Sequence, residues 1–310
     1  MDANATGKDV MSSPPRVSVV MTVYNGLPFL ETALESVLEQ RFTDFEFIVI
    51  DDGSTDGSGD VLRHCAAQDR RVRLFSQENI GITPSLNRGL RKVRGEYVAR
   101  MDDDDICHPE RFGRQVAYLD DHPDCVAVGG QAIVVDENGA PVRHSDSPPC
   151  SGEGGEMKAL YQDHESIEKE LLEGTWPILH PASMLRREAV EAVGGYDERF
   201  ATNQDHDLFL KLAELGRLAN LSATVLKYRR HSGQLSSSQS GCNFASKYRK
   251  AWIRREAYQR RGLSLPQDVQ WSSLVGLLLR RELSETALWP YVQKTWGLLD
   301  PMGHFEGYRS

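Results

Sequence analysis

Four consecutive carboxylates, Asp102 to Asp105 in MDDDDI (101–106), close an apolar stretch. Like charges about 4 Å apart repel by several kcal/mol at intermediate dielectric, so in a cleft such a run calls for a cation. Oxygen donors suit Mg2+ or Mn2+, which bind through one or two carboxylates together with substrate phosphates. On an open surface the same run is a solvated acidic loop with a capping Asp. A second acidic pair, Asp51-Asp52, stands in IDDGSTDGS (50–58). Carboxylates there can accept hydrogen bonds from a base N–H or from ribose hydroxyls, or can close an Asx-type turn. In NQDHDLFLKLAELG (203–216), Asp205 and Asp207 head an apolar stripe of Leu208, Leu212 and Leu215. The helix dipole favours Asp in a first turn, and a carboxylate there can also be a general base, a role worth roughly 10²–10⁴ in rate. His231 in YRRHSG (228–233) and His180 before Pro181 are open to a structural or a ligating reading.

These residues need elements to hold them. VSVVMTV (17–23), FEFIVI (45–50), VRLF (72–75), EYVARM (96–101) and CVAVGG (125–130) read as strands. Between them lie helical patterns near 30–38, 58–67 and 83–93, with a further helix opening near His108-Pro109-Glu110. Near-continuous apolar strands separated by helices predict an α/β fold, a mainly parallel sheet covered on both faces. Right-handed crossovers place the strand C-terminal tips on one edge, where open α/β sheets bind ligands. After 130 the pattern loosens: a hairpin or loop at 131–150, an acidic helical stretch at 155–173, a strand and short helix at 180–193, and a strong helix at 204–215. HSGQLSSSQSG (231–241) reads as a linker.

The first strand tip is informative for what it lacks. VVMTVYNGLPFLETALESVL (19–38) passes from strand to amphipathic helix with no glycine-rich turn. A nicotinamide-dependent oxidoreductase on a doubly wound sheet needs that turn, and Tyr24-Asn25-Gly26-Leu27-Pro28 does not supply it.

The bulk numbers exclude other classes. The 310 residues carry a net charge of −9, whereas nucleic-acid binders are usually basic. Residues 241–310 differ, with 11 Lys+Arg against 6 Asp+Glu. Five scattered cysteines without a CxxC pair argue against zinc and disulfide frameworks and fit a reducing cytosol. The polar start MDANATGKDVMSSPP is unlike a signal peptide, and no stretch approaches the about 20 apolar residues of a spanning helix.

Taken in order, VSVVMTVYNG, IDDGSTDGS, GITPSLNRGL with RGEYVARMDDDDI, HPASMLRREAVEAVGGYDERF, NQDHDLFLKLAELG and YRRHSG resemble the family-2 glycosyltransferases of the GT-A fold. The resemblance implies a GT-A domain over 16–233, a disordered tail at 1–15 and a helical basic extension at 242–310. It implies an enzyme of hexosyltransferase type that moves a sugar from a nucleotide-sugar, UDP-linked in most relatives, to an acceptor hydroxyl with inversion. By family pattern Thr22 and Tyr24 line the nucleotide pocket, Asp52 meets the base and Asp51 lies nearby. Within the DxD motif Asp102 and Asp103 approach the ribose or the metal's waters and Asp104 binds Mn2+ or Mg2+. His231 matches a late metal-binding histidine. Asp205 holds the base position, with Gln204 where the family has a first acid. That Gln204 and the crowded aspartates are the support for the alternative of an inactive nucleotide-sugar binding module.

The expected partners are a nucleotide-sugar and a glycan or lipid-linked acceptor of cell-surface polysaccharide synthesis, with no nucleic acid. The expected location is cytoplasmic. SKYRKAWIRREAYQRR (246–261) carries seven Lys/Arg, with Phe244, Tyr248 and Trp252 at helical spacing. Such a helix can lie on an anionic membrane through 244–261 or pack its aromatic stripe on the catalytic domain.

Overall fold

The computed structural model describes residues 13–142, 160–234 and 244–270. Most of the expected tail, most of the Ser/Gly linker and the end of the extension lie outside the described residues. One eight-stranded sheet organises the chain, in the order β3-β2-β1-β4-β7-β6-β8-β5. The strands are β1 (Val17–Val23), β2 (Phe45–Asp51), β3 (Val72–Ser76), β4 (Tyr97–Arg100), β5 (Ile106–Cys107), β6 (Cys125–Val135), β7 (Met184–Arg186) and β8 (Arg217–Arg229). The helices are α1 (Leu30–Leu38), α2 (Ser58–Gln68), α3 (Ile82–Leu90), α4 (Arg111–Asp121), α5 (His164–Glu173), α6 (Arg187–Ala192), α7 (Gln204–Leu212) and α8 (Phe244–Arg260).

β1 and β2 are buried along their whole length because both faces of the sheet are covered. Val17, Val19, Met21 and Val23 enter one core cluster with α1 residues Leu30, Ala33, Leu34 and Val37. Val20 points to the opposite cluster, with Leu86 of α3 and Leu208, Phe209 and Leu212 of α7. This explains why the sequence shows apolar runs there rather than alternation.

β2, β1 and β4 pair in parallel, and β3 joins β2 in the same sense. β7 opposes both β4 and β6, and β6 pairs with β8 in parallel. β6 and β8 therefore run with β4, and the expected mainly parallel sheet is interrupted only by the short strands β7 and β5. The stretch after 130 carries the expected hairpin: β6 continues to Val135, the chain turns at Asp136–Gly139, and Pro141 returns antiparallel to Val135.

Two features set the site. β5 pairs with β8 through Ile106–Lys227 and Cys107–Leu226, which folds the aspartate run toward the end of β8. Arg111, fully buried, donates to the carbonyls of Arg100 (2.8 Å), Pro181 (2.7 Å) and Ser183 (2.9 Å). It thereby locks the β4 tip to the turn at His180–Ala182.

α8 packs against the domain through Ile253 and Ala257, with Trp252 against the same cluster. Of the two readings of this basic helix, packing is what the described residues display. No helix among them is long and apolar enough to cross a membrane.

Candidate active site

The tips of β1, β2 and β4 share one sheet edge because the strands are parallel. Beyond β4, Asp102, Asp104 and Asp105 converge so that one ligand atom from each lies within 4.8 Å of the others. Each is held differently. Asp102 forms an ion pair with Arg100, which is only 2% exposed and also donates to the carbonyl of Val20 at 3.3 Å. The Asp104 carboxylate lies 2.9 Å from His231 Nε2, and Gln234 Nε2 donates to it at 3.4 Å. Asp105 is buried; its Oδ1 accepts from Arg229 N at 2.8 Å, and its Oδ2 has no partner. Asp103 turns the other way. A Cβ on Gly26 would lie 2.6 Å from its Oδ2, so the β1–α1 turn leaves room for that carboxylate.

Burial and mutual repulsion raise the carboxyls of Asp102, Asp103 and Asp105. Asp103 is pushed up to about 7, first by burial and then by Asp104 and Asp102. Burial, with Asp104 adding, also raises Asp102, against the pull of Arg100, and places Asp105 well above the usual carboxylate range. Crowded acids of this kind are stabilised by a cation. The donors, carboxylate oxygens and an imidazole nitrogen, suit a divalent ion, and the orphaned Asp105 Oδ2 is a ligand atom in waiting. His231 is braced for the role, its ring 4.6 Å from that of Phe29, and the Arg229 guanidinium sits over the Phe29 ring, 4.8 Å from its centroid.

The neighbouring tips carry the residues expected to meet a nucleoside. Thr22 is nearly buried in β1, whereas Tyr24 is 53% exposed just beyond it. Asp51 closes a turn, accepting from Ser54 N at 3.0 Å, as the structural reading of that motif has it. Asp52 accepts from Gln77 Nε2 (2.6 Å), Ile80 N (3.0 Å) and Gly81 N (2.9 Å). Of about four lone-pair positions on a carboxylate, one is left. The rest of IDDGSTDGS ties down the first tip: Ser54, Ser58 and Asp56 accept from the N–H groups of Asn25 (3.1 Å), Gly26 (3.0 Å) and Leu27 (3.1 Å).

Asp205 stands in the first turn of α7, which follows Asn203 in a left-handed conformation (φ 64°). Burial pushes its carboxyl up to about 6, with Asp102 adding and Arg100 opposing. It therefore senses the charges of the β4 tip while remaining ionised at neutral pH. Asp207, the other candidate of that turn, is fully buried and 2.6 Å from Lys211 Nζ, a structural pairing. His180 is also structural: it is buried, kept neutral by burial, and its Nε2 lies 2.7 Å from the hydroxyl of Tyr196.

The structure thus brings together Asp102, Asp104 and His231 and turns Asp103 aside. Arg100 was missed, and Asp105 was read only as part of the acidic run, without a role of its own. The signal for Asp105 was the fourth aspartate itself; for Arg100 it was a lone cation inside an apolar strand.

Comparison with known proteins agrees. Residues 18–194 match the profile described as Glycosyl transferase family 2. EpsE of Bacillus subtilis, named as a glycosyltransferase, is 35% identical over 227 residues, covering 72% of this chain and 76% of EpsE. The amylovoran biosynthesis glycosyltransferase AmsE of Erwinia amylovora is 29% identical, covering 73% of this chain and 80% of AmsE. Among solved structures, S. aureus TarS 1–349 in complex with UDP-GlcNAc superposes with a TM-score of 0.57 at 19% identity, over 77% of this chain and 66% of that one. The Pyrobaculum calidifontis mannosyltransferase PcManGT, in complex with GDP-Man and Mn2+, gives 0.54 at 18% identity, over 95% of this chain and 83% of its own. These neighbours carry the GT-A fold. With the profile spanning more than half of the chain, and EpsE 35% identical over 72% of it, the chain belongs to glycosyltransferase family 2 and is a glycosyltransferase.

Proposed function

We propose that the enzyme transfers a sugar from a nucleoside-diphosphate sugar, UDP-linked by preference, to an acceptor hydroxyl with inversion, in the synthesis of a cell-surface polysaccharide or glycolipid. The observation that carries this reading is the placement of Asp205, raised to about 6, within electrostatic reach of the aspartate cluster that His231 joins. Asp104 and His231, with Asp102 and Asp105 beside them, would hold Mn2+ or Mg2+. A cation bound there supplies positive charge for the departing diphosphate.

The chain's own residues supply the rest. Thr22, Tyr24, Asp51 and Asp52 flank the nucleoside, and Asp102 and Asp103 approach the ribose. The acceptor oxygen forms a bond to the anomeric carbon as that carbon's bond to the diphosphate oxygen breaks. The bonding pair leaves with the diphosphate, and the acceptor's proton passes to Asp205. A single displacement inverts the anomeric configuration and needs no sugar–enzyme bond. Arg100 pairs with Asp102 and orients it.

Support for the donor class comes from UDP-GlcNAc in the TarS complex and GDP-Man in the PcManGT complex. Support for the pathway class comes from AmsE, named for amylovoran biosynthesis, and from WbnJ of Escherichia coli, named for O-antigen biosynthesis. The scattered cysteines keep the cytoplasm as the proposed location. The test is a panel of UDP-, GDP- and dTDP-sugars with Mn2+ or Mg2+, read as nucleoside diphosphate release with and without acceptor. Release that depends on Asp104 supports the reading. No release from any donor with either metal would return the chain to the inactive binding module.

A further inference from the structure

Two exposed aromatics lie on the segments flanking α5: Tyr161 is 39% exposed and Trp176 is 43% exposed. Both segments are bolted to β8 by one buried amide. Asn220 Nδ2 donates to the carbonyls of Tyr161 (2.7 Å) and Pro177 (2.8 Å). Gly129 on β6 makes room for this bolt, because a Cβ there would lie 2.2 Å from Asn220 Oδ1.

The indole of Trp176 is held on two sides. His206 meets it edge-on, with ring centroids 5.7 Å apart at 68°, and Lys250 Nζ sits 4.6 Å from its centroid. α8 fixes the turn that presents it: Lys250 Nζ donates to Gly174 O and Arg254 Nε to Leu172 O, each at 2.7 Å. These cations cap the carbonyl end of α5, a placement the helix dipole favours. His206 follows Asp205 in α7, is kept neutral by burial, and faces the carbonyls of Leu171 and Thr175. The Trp176 turn and the helix turn bearing Asp205 are therefore joined by one packed contact.

A tryptophan buried for stability would bring its area out of water, at about 25 cal/mol per Å². Trp176 is instead immobilised by a cation, an imidazole and a capped helix while a large part of its surface stays in water. A rigid, preorganised aromatic is what a binding surface uses, because little freedom remains to be lost on association. The group that fits beside a base for a hydroxyl is a sugar ring, which offers an apolar C–H face to the indole and hydroxyls at its rim.

We propose that Trp176, on a segment that the Asn220 amide ties to that of Tyr161, is the acceptor-side wall of the site and stacks on the C–H face of a pyranose in a saccharide acceptor. This deepens the proposed transfer reaction and rests on Asp205 as its base.

The test uses the full chain labelled with 5-fluorotryptophan, the Trp176 resonance being the one missing from Trp176→Phe. The probes are methyl glycosides, disaccharides and trisaccharides of glucose, galactose and mannose, added with UDP and Mn2+. The expected result is a saturable shift of the Trp176 resonance by at least one saccharide. For that saccharide Trp176→Ala raises the acceptor KM by about 10–100-fold, an interface anchor's share, and lowers kcat by less than it raises KM. Trp176→Phe keeps most of the affinity. The proposal is overturned if no saccharide moves the resonance, or if Trp176→Ala leaves the acceptor KM unchanged. Asp205→Asn separates the two readings: normal transfer by that variant overturns the base while the saccharide-induced shift persists.

Discussion

Replacing Asp205 by Asn should abolish transfer and, at neutral pH, stabilise the fold. The carboxyl stands at about 6 rather than 3.8, chiefly because it is buried. Two pH units correspond to about 3 kcal/mol against the ionised form. The folded pKa lies above the unfolded one, so the folded state holds the proton more tightly. The associated stability is complete below about pH 4 and is lost as the pH rises through about 6. Asn never ionises, and its amide oxygen can accept the backbone hydrogen bonds that Asp205 accepts. Partial solvent access discounts the full figure, so the variant should be about 1–3 kcal/mol more stable at pH 7.5 and no more stable than the parent near pH 4. Urea denaturation in EDTA at the two pH values measures this. Initial rates with Mn2+ should fall by at least roughly 10², with donor affinity unchanged. In the parent, kcat/KM should drop about tenfold per pH unit below 6. Transfer within about tenfold of the parent's would refute the base assignment. A variant no more stable at pH 7.5 would refute the burial argument behind it.

The crowded aspartates make apo stability fall as the pH rises through about 7, because Asp103 is raised to that value in the fold. Mn2+ at about 100 times its Kd should restore about 2.7 kcal/mol; an equal thermal shift in Asp104→Asn would locate the ion elsewhere. Arg111→Met strands the carbonyls of Arg100, Pro181 and Ser183 in the interior. It should cost about 3–5 kcal/mol by denaturation, and a loss under about 1 kcal/mol would deny the Arg111 lock its part in the fold. Lys250→Met with Arg254→Met should lower the melting temperature and leave co-sedimentation with anionic vesicles unchanged, since both side chains serve α5. Reduced co-sedimentation at unchanged melting temperature would instead put α8 on a membrane.

How far the sequence could be read follows from what each element buries. β1, β2 and β4 were legible because a strand covered on both faces must be apolar along its length. α7 was legible because its stripe faces the core. β5 was not, since two residues have no period, yet its pairing with β8 is what carries Asp104 to His231. The order of roles within the aspartates was equally hidden. Identical side chains give no internal signal, and the choice is made from outside by Gly26, which leaves space for Asp103, and by Arg229, whose N–H takes Asp105.

The two readings offered for IDDGSTDGS, a turn or a ligand site, prove to be one argument about capacity. Every polar group at the sheet edge can make a fixed number of hydrogen bonds, and the fold uses some of them. Asp56, Ser54 and Ser58 are engaged by the first strand's turn. Asp51 engages its own turn, and Asp52 is engaged three times over by residues 77–81. What the fold leaves over includes the last lone pair of Asp52, the orphaned oxygen of Asp105 and the outward face of Tyr24. A buried acceptor without a partner costs about 1–3 kcal/mol, so the edge is arranged to be completed by something that brings donors, positive charge and a flat ring. A nucleoside diphosphate with its cation has all three. The missing glycine turn fits the same arithmetic, because the N–H groups of Asn25, Gly26 and Leu27, which a glycine fingerprint would present to a pyrophosphate, are already donated to Ser54, Ser58 and Asp56.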